Sequence, residues 1–562
     1  MRTERGVRGA VACDDEARVE ESPCASGFRG RWRDDVEARA VYAEGAGIAR
    51  EMPRAVAVPV DADDVVTLVR WAAATRTSLV PRGSGSGMGG GAVGPEVMVD
   101  LSRLDTLGRV DVPSRRVMAG PGVLRGQVEE AAAAHGLRFP VDPSSGDFCT
   151  VGGMAATNAA GPHSLRWGTM RRWVRAVDCV FADGTRAVVR RGAPLPANSP
   201  VLARLEALRA SLRAHPDAPG ARALPGVRKD TSGYAVADWL HGDMVDILVG
   251  SEGTLALFVG LELALAPRPS ATSSVLAAFP SLEQSVRAAT AARALGASAC
   301  ELLERTFLDV ARDGGRPLPV PWNSEAVLLV EVEADSDQRA AEGARLVARA
   351  FRGAGAVQVT VALDPRTEAR IWELRHRASP ILGRLYPGVA SMQFIEDGAV
   401  PPDRLPAYVR GVRAALERQG LRGVIFGHAG DAHVHVNPLV DVHAPGWRER
   451  VEALLVEVAE LTASLGGTLA GEHGDGRLRT PLIALTRGEG AAALNAAIKE
   501  AADPAGILNP GVKVPLPGQR PLAGIKYDPA LPPLPPRARR ALDIVASERA
   551  YSRCRLDMLD GE

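Results

Sequence analysis

The stretch Pro81-Arg-Gly-Ser-Gly-Ser-Gly-Met-Gly-Gly-Gly91, followed by Ala-Val-Gly-Pro95 and the run Val97-Met-Val-Asp-Leu101, decides the fold of this chain. Gly85-x-Gly87-x-x-Gly90 satisfies the dinucleotide fingerprint letter by letter. That fingerprint works only where a helix follows the glycines and aims its N-terminus at a pyrophosphate. Here a turn and then a strand follow, which disfavours a nicotinamide-type Rossmann domain. The glycines keep a physical use, because residues without Cβ let the main chain approach phosphate oxygens and point N–H groups at them.

Working outward, Asp61-Ala-Asp-Asp64 reads as a helix start, and residues 77–80 as a strand entering the glycine loop. Residues 97–101 and 116–119 read as strands, and 123–135 as a helix stopped by Gly136. Residues 174–181 and 246–265 add strand-like runs. Pro267-Arg-Pro-Ser270 marks a boundary, beyond which strands (273–279, 326–332) and helices (282–295, 338–351) alternate. Residues 448–465 form the clearest helix, with Val451, Leu454, Leu455, Val458 and Leu461 on one face before Gly466-Gly467.

The length of 562 residues requires more than one core. A formal net charge of zero argues against a nucleic-acid partner held through phosphates. The six cysteines form no C-x-x-C pair, which fits free thiols in a reducing compartment. No run approaches 18 uninterrupted apolar residues, so the expected location is cytoplasmic, with peripheral contact to a membrane left open.

The chemistry concentrates in Gly427-His-Ala-Gly-Asp-Ala-His-Val-His-Val-Asn437 and Gly471-Glu-His-Gly-Asp-Gly476. Imidazoles with one carboxylate suit a borderline divalent cation, zinc or manganese. His433, His435 and Asn437 alternate along one strand face, which makes His433 an additional ligand or a substrate contact. Two further glycine-bearing stretches, residues 142–168 and Gly250-Ser-Glu-Gly-Thr-Leu255, have the small residues needed to wrap a large flat ligand.

Together these segments resemble the FAD domain of the vanillyl-alcohol oxidase superfamily. Over residues 40–515 the chain is most similar to the branch of FAD-linked D-2-hydroxy-acid dehydrogenases, which includes glycolate oxidase flavin subunits, D-lactate dehydrogenases and D-2-hydroxyglutarate dehydrogenases. The motifs that carry it are Pro81-Arg-Gly-Ser-Gly, Gly250-Ser-Glu-Gly-Thr-Leu255, Gly427-His-x-Gly-Asp431, Gly471-Glu-His-Gly474 and Asn509-Pro-Gly511. The resemblance implies an α+β architecture: a two-subdomain PCMH-type FAD-binding domain plus an α+β cap with an antiparallel sheet. The expected division is an arm or disordered lead over 1–30 and the FAD domain over 31–268. The cap follows over 269–460, then a returning segment over 461–515, then a proline-rich linker with a short terminal helix over 516–562.

The resemblance further implies FAD held without a covalent bond. Its ligands would be Arg82, Gly83, Ser84, Gly85, Ser86, Gly87, Pro143, Thr150, Gly152, Gly153, Asn158, Gly161, Gly168, Glu252, Gly253, Leu255 and Asn509. The metal ligands would fall on His428, His435 and Glu472, with His473 as acid/base. Arg375, Ser379 and Asn437 would bind the substrate, Arg375 through its carboxylate. The implied reaction is oxidation of a D-2-hydroxy acid to the 2-oxo acid by hydride transfer to flavin N5. Electrons would pass to an external acceptor: a quinone, an electron-transfer flavoprotein, a cytochrome or a separate iron–sulfur subunit. A homodimer is compatible with all of this. The alternatives are a sugar, aldonolactone or aryl-alcohol oxidase of the same fold, or a non-catalytic electron-transfer subunit. One departure stands out: Glu396-Asp397 occupies a region where some relatives carry a basic residue for the distal end of the substrate.

Overall fold

The computed structural model describes residues 22–215, 220, 222–313, 317–376 and 388–561. A four-stranded sheet is ordered Arg31–Arg33, Ala55–Val58, Val97–Asp100, Leu79–Arg82, antiparallel at the first pair and parallel after it. The helix Ala62–Thr75 connects two of these strands. Its N-cap Asp61 accepts from the N–H groups of Asp63 and Asp64, the start that the acidic cluster predicts. The glycine loop therefore leaves a strand and returns to a parallel neighbour.

A second four-stranded sheet is antiparallel, in the order Arg116–Ala119, Leu257–Ala264, Val174–Val180, Arg186–Arg190. The expected strand over 246–265 is corrected here. Met244–Leu248 is a helix capped by Asp243, and only Leu257–Ala264 is strand. A short apolar run fits either state, and Asp243 decides it by taking the Val245 N–H.

The third sheet is antiparallel and eight-stranded. Its main path is Gln358–Ala362, Ala271–Phe279, Ala326–Ala334, Ala299–Glu304, Arg422–His428, His433–Asp441, Val389–Ser391, with Gly398–Ala399 added beside His433–Asp441. Leu282–Ala294, Asp337–Gly353, Leu405–Arg418 and Trp447–Ser464 cover it. Val451, Leu454, Leu455 and Val458 of the last helix are fully buried, each worth roughly 1.5–3 kcal/mol.

Both ends of the described chain depart from expectation. Of the expected arm, Phe28 is in the core, and the exposed Arg29 donates to Asp61 and Asp64. Where a linker with one short terminal helix was expected, there are two helices, Pro536–Glu548 and Arg555–Asp560. Ala538, Ala541, Leu542 and Leu556 pack under the first sheet's strands. Among the described residues no helix is long and apolar enough to cross a membrane.

Candidate active site

A cavity of about 420 Å³ runs along the glycine loop. Arg82, Gly83, Ser84, Gly85, Ser86 and Gly87 line it, with Pro143, Thr150, Gly152, Gly153, Glu252, Gly253, Glu472 and His473. The loop at 81 and the Glu-His turn, nearly 400 residues apart in sequence, therefore share one cavity. Close main-chain approach holds them together. A Cβ on Gly476 would lie 1.8 Å from the Gly89 carbonyl oxygen, and one on Gly91 would lie 2.8 Å from Glu252 Oε2. Glu252, itself at φ +52°, accepts from the N–H groups of Asp475 and Gly476, and Lys513 Nζ lies 2.9 Å from its Oε1.

Asn158, Gly161, Gly168, Leu255 and Asn509 do not line the cavity; they brace what does. Asn158 ends the helix Val151–Thr157 and accepts from Arg171 N–H. Gly161 lies against Asp142, where a Cβ would sit 2.3 Å from the Asp142 carbonyl oxygen. Gly168 ends a short helix, and Leu255 is core. Asn509 donates to the carbonyls of Gly91 and Glu252 and accepts from Arg477.

The histidines come from the hairpin Arg422–His428 and His433–Asp441, in which His428 and His433 are cross-strand partners. Gly427 permits the tight pairing, since a Cβ there would lie 2.4 Å from the His433 carbonyl oxygen. His428 donates from Nδ1 to Glu301 Oε1 at 2.5 Å, and His435 from Nδ1 to the Glu396 carbonyl at 2.8 Å. Both rings therefore turn Nε2 inward. The inner atoms form a nearly equilateral triangle: His428 Nε2 to His435 Nε2 3.4 Å, His428 Nε2 to Glu472 Oε1 3.3 Å, His435 Nε2 to Glu472 Oε1 3.5 Å. Three ligands about 2.1 Å from a tetrahedral ion stand about 3.4 Å apart. The donor set and its spacing fit a divalent cation.

Burial pulls the His428 imidazole down, but Glu301 outweighs it and holds the ring up at about 9. Burial also pushes the Glu301 carboxyl up, yet His428 and then Arg375 bring it to about 2. His435 is driven well down, by burial and then by His433. Glu472 sits well below the carboxylate range despite its burial, because the Lys229 ammonium donates to its Oε2 at 2.7 Å.

His473 stacks on His435 with ring centroids 5.3 Å apart, and its Nε2 is 3.7 Å from Glu472 Oε1. Its Nδ1 meets Glu396 at 3.2 Å, and Asp397 accepts its main-chain N–H. Burial lowers the ring, while Asp397 and Glu396 overcome this and raise it to about 9. A cation beside Glu472 would oppose them and favour the neutral ring.

His433 is buried against the triangle, and its ring groups with His428, His435 and Glu472 as a candidate fourth ligand, with ligand atoms all within 4.8 Å of one another. Its Nε2 donates to Asp397 at 2.8 Å, and its bare Nδ1 lies 4.0 Å from Glu472 Oε2. Arg375, near the end of the helix Pro365–His376, donates from Nε to Glu301 Oε2 and lies over the Phe426 ring. Asn437 is two residues beyond His435 on the same strand, partly exposed. Ser379 lies outside the described residues. Sequence reasoning missed Glu301, Lys229 and the roles of Glu396 and Asp397 behind the histidines.

Comparison with known proteins gives two family matches: an FAD binding domain over residues 53–190 and the C-terminal domain of FAD linked oxidases over residues 268–512. The glycolate oxidase subunit GlcD of Bacillus subtilis is 28% identical over 468 residues, 82% of this chain and 89% of that one. The D-lactate dehydrogenase of Archaeoglobus fulgidus is 30% identical over 461 residues, 81% and 90% of the two chains. The D-2-hydroxyglutarate dehydrogenase of Pseudomonas putida is 29% identical over 518 residues, of which this chain spans half the length (50%). Among solved structures, a 4-ethylphenol oxidase from Gulosibacter chungangensis shares the fold at a TM-score of 0.61, 16% identity and 86% and 94% coverage.

Proposed function

This chain belongs to the FAD-linked oxidase family, as an oxidoreductase of the glycolate, D-lactate and D-2-hydroxyglutarate type, and on that premise we propose that it oxidises a D-2-hydroxy acid with the help of a divalent cation. The observation that carries the proposal is the triangle of His428, His435 and Glu472 beside a cavity floored by the glycine loop. Bound FAD supplies the hydride acceptor, and bound zinc or manganese supplies Lewis acidity toward the substrate hydroxyl.

The protein's own groups do the rest. His473 Nε2, facing the cluster from the cavity wall, takes the hydroxyl proton as C2 gives up its hydride. Glu396 and Asp397 hold that ring in place and stabilise the imidazolium it becomes. Arg375, anchored on Glu301, clamps the substrate carboxylate and so fixes which face of C2 is presented. Asn437 adds a polar contact from the strand. FAD stays non-covalent: Asp142 and Glu331 hold both ring nitrogens of His163, and burial pushes the Cys149 thiol up to about 11. An external acceptor then reoxidises the flavin.

An anaerobic stopped-flow screen of paired D- and L-2-hydroxy acids tests this reading. Bleaching of the flavin band by D but not L enantiomers is expected. Full reduction by an aryl alcohol or aldonolactone, with no metal in the protein, would select the alternative oxidase reading.

Glu301 bonds both His428 and Arg375 and fixes the ligand tautomer. Glu301→Gln keeps the shape and removes the charge. It should weaken the divalent cation by about 10- to 100-fold in a chelator competition. Unchanged affinity would mean that Glu301 only fills space.

A further inference from the structure

The cavity has a wall that no part of the family match supplies. Ala546, Arg549 and Tyr551 line it, and all three lie beyond residue 512, where that match ends. They sit at the end away from His473. Gly89 and Gly91 abut Asp475 and Gly476, whereas Ser84, at the start of the same loop, receives a hydrogen bond from Arg555 of the C-terminal segment. Tyr551 packs on Phe148 with centroids 5.2 Å apart, and the Arg549 guanidinium lies 5.1 Å from the Phe148 centroid. Phe148 itself lines the cavity.

The charge around this end is mostly positive. Arg82 and Arg555 are each 2% exposed. Arg82 donates to the carbonyls of Tyr42, Ala92 and Glu44, and Arg555 to those of Ala550, Arg553 and Ser84. Among the described residues neither they nor Arg549 has a carboxylate within 4.0 Å; the charge of Asp100, which accepts from Tyr42 at 2.5 Å, offsets them only in part from farther away. Burial, then the neighbouring Arg555, pushes the Arg82 guanidinium down to about 10. Buried like charges with no ion-pair partner in contact cost free energy, which an arriving anion offsets.

We propose that the C-terminal segment 546–555 is part of the cofactor site, with Arg549 and Tyr551 closing the cavity over the adenosine diphosphate half of FAD and Arg555 adding positive charge behind the glycine loop. The proposal rests on FAD binding by this chain. The segment is built in rather than draped on: Leu556 and Leu559 are core, and Asp557 pairs with Arg31 and Arg103. Arg549 is exposed at a helix end with φ +55°, so it can be replaced without opening the core.

The test is FAD binding to the apo full chain by flavin fluorescence, with apo-protein melting followed in parallel. Arg549→Gln and Tyr551→Ala should each raise the FAD dissociation constant about 10-fold or more, without moving the apo melting temperature. Arg549→Lys should stay within about 3-fold of the parent, and the salt dependence of FAD binding should be shallower in Arg549→Gln. Parental affinity in Arg549→Gln overturns the proposal. So does an Arg549→Lys variant as weak as the Gln one, or an affinity loss matched by a fall in apo melting. A parent chain that takes up no FAD would sink the underlying reading instead.

Discussion

Replacing His473 by Gln should slow flavin reduction by a D-2-hydroxy acid about 10²- to 10⁴-fold, the range expected when a positioned general base is lost. The ring is backed by Glu396 and Asp397 on one side and faces Glu472 and the cavity on the other. Its contribution lies in accepting a proton at Nε2, which an amide cannot do. The variant should keep its FAD, and its content of divalent metal should be unchanged, since His473 is not one of the three atoms of the triangle. Single-turnover reduction measured anaerobically reads the chemical step alone. A rate within threefold of the parent would remove His473 from the reaction.

Stripping the protein of divalent cation should reduce the same rate by roughly 10³-fold, the scale of several kcal/mol that a Lewis acid supplies. Zinc or manganese should restore it. Glu472→Gln should mimic the stripped state and resist rescue, because Oε1 is the corner shared by both imidazoles and Oε2 carries Lys229. Stripped protein that still reduces at full rate, with metal absence confirmed by elemental analysis, would reduce the triangle to a buried hydrogen-bond cluster.

What could be read in the sequence was local. The glycine loop, the hairpin histidines and the Glu-His turn are short motifs whose spacing carries the chemistry, and the fold brings them to one cavity. Glu301 and Lys229 were invisible because each acts over more than 100 residues of separation and sits in an ordinary context, one on a strand and one in a loop. Glu396-Asp397 registered only as the absence of a basic residue, whereas the pair holds His473, His433 and Arg479. At the C-terminal end one short final helix was expected after the prolines, and the structure has two, Pro536–Glu548 and Arg555–Asp560. Ala538, Ala541, Leu542 and Val545 recur at helical spacing in the first, and the prolines just before them hid where it starts.

The contact between Gly476 and Gly89 limits how this protein can be rebuilt. The two segments belong to different halves of the chain, yet Gly476 has no room for a side chain where they meet and Gly89 only a tight one. Transplanting the histidine-bearing half onto a foreign flavin-binding half would place an unmatched loop against the junction. Such a chimera must carry residues 87–91 along with residues 471–476, so what behaves as a transferable module is the matched pair of loops.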